Sequence, residues 1–276
     1  MTSKQIGLNI GSGNNWHKTG WETLDHHVPT GIFQDRHQAW DLPYDNETFD
    51  YIFTSLTLEE IPSIKVEATI AEINRVLKPG GIYRVFTPDL RRIAKAYLER
   101  DIGAIREFNR DYSFFDSYID RLIDAGLGPG AFLSHTIISP GLDNVLINSD
   151  YSGVVGSFAN MYCYDFQMLS GLVKHYGFAI DDDYCTFEDS RIPDFRDLRR
   201  PYYTGMQKCF ALECHKEAYI SFNPETMLLH NNAPYPYRML TQENKMLNLV
   251  FRVLGLMYKL KFRTNTTSTG VKNDQC

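Results

Sequence analysis

The sequence lacks the features of a stapled, membrane-spanning or polyanion-binding protein. It has five cysteines among 276 residues, an odd number, and Cys163, Cys185, Cys209, Cys214 and Cys276 form no Cys-x-x-Cys pair. No histidine stands at finger-like spacing, so the pattern gives no structural zinc site. Reduced thiols in a cytoplasmic protein are the expectation. Met1-Thr2-Ser3-Lys4-Gln5 runs directly into a strand-like segment, with neither a long apolar stretch nor a cleavage site. The longest apolar stretch, Met246 to Tyr258, carries Arg252 in its middle and falls short of the ~20 residues a bilayer requires. Basic charge is also in deficit. The 28 Lys+Arg face 34 Asp+Glu, a net charge of −6, which argues against nucleic acid as a partner because such binding leaves a basic footprint.

What is present describes a soluble globular chain. Apolar residues make up 43% and charged residues 22%, ordinary values that exclude a disordered protein. At roughly 150 residues per domain, the length predicts one large domain or one domain with an addition.

The richest stretch comes first. Ile6-Gly7-Leu8-Asn9-Ile10 is a short apolar run followed at once by Gly11-Ser12-Gly13. A glycine turn at the carboxyl end of a first strand is where doubly wound folds bring backbone close to a ligand. Gly-x-Gly alone is equally the mark of a plain turn. Trp21-Glu22-Thr23-Leu24-Asp25 reads as a second strand with an acid at its tip. That carboxylate either accepts hydrogen bonds from both hydroxyls of a ribose or simply opens the turn His26-His27-Val28-Pro29. Phe49 to Ser55 reads as another strand, and Val66, Ile70, Ile73 and Leu77 recur on one helical face. Lys78-Pro79-Gly80-Gly81 is expected to end that helix before a strand over Ile82 to Phe86. This alternation predicts an α/β fold with a largely parallel sheet.

The run from Leu8 to Leu90 resembles the class I S-adenosylmethionine-dependent methyltransferases of the type 11-like group. The motifs that carry the resemblance are Gly11-Ser12-Gly13, Asp25, Leu42-Pro43-Tyr44-Asp45 with Phe49-Asp50, and Val76-Leu77-Lys78-Pro79-Gly80-Gly81. Thr87-Pro88-Asp89-Leu90 is similar to one predicted subgroup often found near genes for surface-polysaccharide synthesis. The resemblance implies a doubly wound Rossmann-like methyltransferase sheet with a helical insert and a C-terminal helical tail, and S-adenosylmethionine as cofactor. It also implies roles. Asn9, Gly11, Ser12 and Gly13 would pass beneath the methionine part and Asp25 would hold the ribose. Asp41 and Leu42 would contact adenine, unless Asp41 is only a turn residue before Pro43. Ser55 would face the sulfonium.

Two departures stand out. Only ten residues run from Gly11 to Gly20, where a helical crossover usually takes a dozen or more. The first helix is therefore expected to have one or two turns at most, which disfavours a dinucleotide whose pyrophosphate needs a helix N-terminus. Relatives also carry histidines in a Glu-His-x-Leu-Glu-His stretch, where this chain has Leu56 and Glu60.

The second half is expected to hold a helical substrate cover over about 90–155, with Phe114, Phe115, Tyr118 and Phe132 either lining it or forming plain core. Asp89 and His135 are the candidate proton acceptors, although a lone histidine is equally a structural one. Asp165 reads as an N-cap for a helix stopped by Gly177, followed by two antiparallel edge strands. The methyltransferase-like domain is expected over 1–216, a linker over 217–237 and a polar tail over 264–276. Between Arg238 and Arg263 six cations face Glu243 alone on an otherwise apolar helical pattern. Such a basic amphipathic helix suits either peripheral contact with an anionic membrane or docking on protein. The functional expectation is methyl transfer to oxygen or nitrogen of a small molecule or glycan precursor. The alternative is a non-catalytic scaffold of the same fold.

Overall fold

In the computed structural model, which describes residues 5–13, 16, 18–25, 37–108, 120–122, 124–130, 133, 162–193 and 208–229, the first apolar run forms β1 (Gly7–Ile10). β2 (Trp21–Leu24) and β3 (Phe49–Ser55) follow, then α1 (Ser63–Val76) and β4 (Leu77–Pro88). After α2 (Leu90–Leu98) and α3 (Ile102–Glu107) come α4 (Phe166–His175), β5 (Phe178–Ile180) and β6 (Cys209–Lys216). The six strands form one sheet in the order β2-β1-β3-β4-β6-β5. The first three pairings are parallel and the last two antiparallel. This is the expected α/β architecture, with the expected antiparallel pair at its edge.

Strand alternation sends side chains to two unlike faces. On one, Leu8, Ile10, Ile52, Tyr83, Val85 and Leu212 are buried with Val66, Ile70 and Ile73 of α1 and Leu169, Leu172 and Val173 of α4. The 4-and-3 spacing predicted for α1 is the pattern of residues that reach this core. On the other face, Phe53, Phe86 and Ala211 pack with Trp16, Trp21, Leu56 and Phe187. None of the described residues between β1 and β2 is helical, so the short crossover covers this face with an indole. Trp16 meets Trp21 edge-on, with ring centroids 5.4 Å apart.

β4 starts earlier than the glycine pair implied. Lys78-Pro79-Gly80-Gly81 lies inside the strand, with a register shift opposite Phe49 to Tyr51. Gly80 takes φ +70, and the ladder resumes at Ile82. The run thus interrupts the ladder between β3 and β4 just after α1 has ended at Val76.

Buried polar clasps hold the outer segments. Glu67 of α1, fully buried, accepts from the Tyr176 hydroxyl at 2.8 Å and from the Leu228 and Leu229 N–H groups at 2.9 and 2.7 Å. Asn74 Nδ2 donates to the carbonyls of Tyr176 at 2.7 Å and Ala218 at 2.9 Å. The compact unit therefore runs to Leu229, past the point where the composition of 217–237 reads as a linker. Across the antiparallel pair, Arg84 opposes Glu213 in register. Its Nη1 donates to Glu213 Oε2 at 3.0 Å and to the Tyr184 and Asp189 carbonyls, and Nη2 donates to that of Thr186. Glu213 also accepts from Ser190 Oγ and the Arg191 N–H, both at 2.7 Å. One ion pair thereby fastens residues 184–191 over the sheet.

The region expected as substrate cover is described only in part, and Phe114, Phe115, Tyr118 and Phe132 lie outside the described residues, as do 238–263 and 264–276. Among the described residues no helix is long and apolar enough to cross a membrane. Removing one member of a buried pair strands the other charge at a cost of about 3 kcal/mol. Urea unfolding should therefore show a loss of that size for Glu213→Gln and for Arg84→Met. The double variant should lose much less than their sum.

Candidate cofactor site

The order of strands reverses at β1, which has β2 on one side and β3 on the other. In such sheets ligands bind outside the carboxyl ends of the strands at this point. Gly11 follows β1, Asp25 follows β2, and Leu56 and Thr57 follow Ser55 at the end of β3, so three loops converge here.

The glycine turn is tied to β2. Gly11 takes φ +73 and Gly13 φ +62, left-handed values that tax a side chain. The Gly11 N–H donates to the Leu24 carbonyl at 2.7 Å, and the Ser12 N–H reaches the same oxygen at 3.4 Å. The Gly13 N–H donates to Asp25 Oδ2 at 2.8 Å. Gly11, Ser12, Gly13 and Asp25 thus form one corner. Beneath it Asn9 is buried at 2% exposure, and its Oδ1 has no hydrogen-bond partner. A buried acceptor of this kind is costly unless something donates to it.

The two glycines are needed for different reasons. A Cβ on Gly11 would overlap Oγ1 and Cγ2 of Thr57 and lie 2.8 Å from its Cβ. A Cβ on Gly13 would meet nothing within 4 Å. Gly11 admits a neighbouring side chain, and Gly13 leaves the approach to the corner open. Thr57 is absent from the sequence-based set, and no spacing could have marked it. Ser55 is buried at the tip of β3, beside Leu56, which takes φ +50 and packs with the Trp16 cluster.

The pair expected at adenine is placed differently. The Leu42 N–H donates to Glu72 Oε2 at 3.0 Å, and its carbonyl accepts from Arg75 Nη2 at 3.0 Å. Asp41 is exposed, and the Arg75 guanidinium is held in its charged form chiefly by its hydrogen bonds to Glu72, with the Asp41 charge adding to them. Both backbone groups of Leu42 are therefore spent on α1.

Of the expected proton acceptors, His135 lies outside the described residues. Asp89 caps α2. Its Oδ1 accepts from the Arg91 and Arg92 N–H groups at 2.9 and 3.4 Å, and Oδ2 stands 3.3 Å from Arg92 Nε. A further acid, Glu59, is buried behind the tip of β3 and accepts from Thr87 Oγ1 at 3.0 Å. Burial, with the nearby Glu59 charge, pushes the Cys163 thiol up to about 11. Burial and Glu59 likewise raise the Tyr164 phenol well above its ordinary range. Neither group supplies an anion at neutral pH. Among the described residues no cluster of His, Cys, Asp and Glu could hold a metal ion.

Residues 25–85 match the family model described as the methyltransferase domain. The match opens on Asp25 and closes inside β4. Over 54 residues the chain is 41% identical to an uncharacterized methyltransferase of Synechocystis, covering 20% of this chain and 24% of that protein. Over 44 residues it is 46% identical to the demethylmenaquinone methyltransferase of Staphylococcus carnosus, covering 16% of this chain and 17% of that one. The chain thus spans a quarter or less of the curated relatives' length. Among solved structures it is similar to an S-adenosylmethionine-dependent methyltransferase of Mesorhizobium loti, at 14% identity and a TM-score of 0.40, over 76% of this chain and 90% of that one.

The two glycines should respond differently to the same change. Gly13→Ala should lose only the roughly 1–2 kcal/mol of a left-handed alanine, whereas Gly11→Ala, which adds a clash, should lose more. Chemical denaturation of both variants checks this.

Proposed function

We propose that this chain, whose residues 25–85 belong to the methyltransferase domain family, is an S-adenosylmethionine-dependent methyltransferase acting on an oxygen or nitrogen of a small molecule or glycan precursor. The observation that carries the reading is the corner at the switch point, where Asp25 is held by the Gly13 N–H above the buried, unpartnered Asn9 Oδ1. The residues fit the group. A carboxylate at the tip of β2 accepts from vicinal ribose hydroxyls, and an orphan amide oxygen accepts from an α-ammonium.

S-adenosylmethionine supplies a methyl group already activated on a sulfonium, so the hard chemistry belongs to the cofactor. The chain's own task is to bind, orient and exclude water. Asn9 would accept from the α-ammonium of the cofactor and Asp25 from its ribose, and Ser55, at the tip of β3, would face the sulfonium. The site would have to line up the acceptor's lone pair with that methyl group. A proton is then lost only where the acceptor arrives protonated. Asp89, committed to its cap and to Arg92, is given no part in that loss. His135 is retained as the candidate base. A net charge of −6 supports an acceptor that is not a polyanion.

Leu56, in the stretch where relatives carry histidine, favours a second reading in which the fold binds cofactor without turnover. Calorimetry separates the readings. The methyltransferase should bind both S-adenosylmethionine and S-adenosylhomocysteine, and Asp25→Ala should weaken both by about 2–3 kcal/mol, the scale of a charge-assisted pair. No binding of either ligand overturns both readings. Binding with no methyl transfer to any of a panel of hydroxyl and amine acceptors supports the second.

Residues 238–263 are proposed as a peripheral membrane contact, on the strength of six cations facing one acid over an apolar helical pattern. In flotation with anionic liposomes the full chain should float and a chain ending at residue 237 should stay behind. Equal partition removes the idea.

A further inference from the structure

We infer that Thr57 is a positioning residue for the cofactor turn, a latch thrown from the end of β3 across the switch point onto the end of β1. The inference rests on the cofactor reading above and adds to it a residue outside the matched motifs' expected roles. Its grounds are geometric. Thr57 Oγ1 donates to the Ile10 carbonyl at 3.3 Å and to the Ser55 carbonyl at 3.1 Å. One hydroxyl therefore bridges the last residue of β1 and the last residue of β3, just where the ladder between those two strands has ended at Ile10 and Thr54. The rest of the side chain fills the space over Gly11 that a Cβ would occupy.

The chain reaches this place by an unusual route. Leu56 adopts φ +50, a conformation that a leucine takes only at a cost. Its N–H still donates to the Phe86 carbonyl at 2.9 Å, so β3 stays in register with β4 up to the turn. Its side chain packs with the Trp16, Phe53 and Phe86 cluster, which offsets the strain. The left-handed step then turns the chain so that Thr57 lies back over β1. Two left-handed residues, Gly11 and Leu56, thus meet through one threonine. None of the described residues between the turn and β2 is helical, and the Thr57 contact supplies from β3 the support that a longer crossover would give. With Gly11 pinned, its N–H stays on Leu24 and the Gly13 N–H stays on Asp25, so the carboxylate is held where a ribose would meet it.

Three forms of the full chain test this: wild type, Thr57→Val and Thr57→Ser. Valine keeps the shape and removes the donated hydrogen, and serine keeps the hydrogen. Amide hydrogen exchange at Gly11 and Gly13, measured without ligand, should quicken severalfold in Thr57→Val and stay near wild type in Thr57→Ser, with thermal midpoints within a few degrees of each other. The dissociation constant of S-adenosylhomocysteine should rise about fivefold in Thr57→Val, the scale of one hydrogen bond, and return to within twofold in Thr57→Ser. Unchanged exchange in Thr57→Val, or equal damage from both variants, overturns the latch. Wild-type protein that fails to bind S-adenosylhomocysteine overturns the cofactor reading instead, and the exchange measurement still decides the latch. Should Thr57→Val be recovered unfolded, the smaller Thr57→Ala is judged by the same two measurements.

Discussion

Everything at the site depends on the shortness of the connection between β1 and β2. The two strands are parallel, so the chain must return over the whole length of a strand between Ile10 and Trp21. Ten residues coiled as a helix would reach only about 15 Å, whereas extended they reach about 33 Å. Retracing a four-residue strand takes about 13 Å, before the chain has crossed the face of the sheet at both ends. A mostly extended path is the economical solution, and the described residues of this segment are not helical. The glycine turn consequently has no helix N-terminus behind it. Its N–H groups bond instead to Leu24 and Asp25 of the neighbouring strand. A turn whose donors are occupied in this way cannot cradle a pyrophosphate as dinucleotide folds do. It can hold a carboxylate in place, and that carboxylate is what a ribose requires. The same shortness leaves one face of the sheet to Trp16 and Phe187.

Elements whose signals are local were legible in the sequence. β1, β3 and α1 followed from apolar runs and from the spacing of Val66, Ile70 and Ile73. The corner of Gly11, Gly13 and Asp25 followed from the order of motifs, since residues at the tips of adjacent parallel strands must be neighbours. Other features were lost because their partners are distant. The Lys78-Pro79-Gly80-Gly81 run follows the end of α1 at Val76, yet it lies within β4, whose ladder with β3 is broken between Leu77 and Ile82. Asp89 carried a local signal for what it does, an acid directly before a helical run, and its place after a strand hid that capping role. Nothing in the surroundings of Leu42 announces that Glu72 and Arg75, about thirty residues on, will take both of its backbone groups. Glu67 is the extreme case. An acid on α1, it is fully buried and tied to Leu228 and Leu229, in the segment expected as a linker.

The two buried acids on either side of the sheet's far half are matched to their surroundings in opposite ways. Glu213 faces Arg84, and the pair is satisfied by backbone carbonyls, a hydroxyl and an N–H, which is the condition under which a buried ion pair is tolerable. Glu67 meets neutral donors, two backbone N–H groups and a phenol whose proton its charge helps to retain. In both cases the acid serves attachment: residues 184–191 in one, 228–229 in the other. The sheet's central strands are held by apolar burial, and its margins by polar clasps that leave little freedom in where the outer segments sit.

Leu56 shows how the departure from the family's pattern and the geometry of the site belong together. A left-handed residue at the end of β3 would be easiest as glycine or asparagine. Leucine is retained because its side chain completes the cluster around Trp16, the residue that covers the face left bare by the short crossover. The apolar side chain is thus explained by packing on this face, without reference to catalysis. On this view the short crossover, the indole and the strained leucine are one adaptation, in which a left-handed residue at the end of β3 is held by the cluster that covers this face of the sheet.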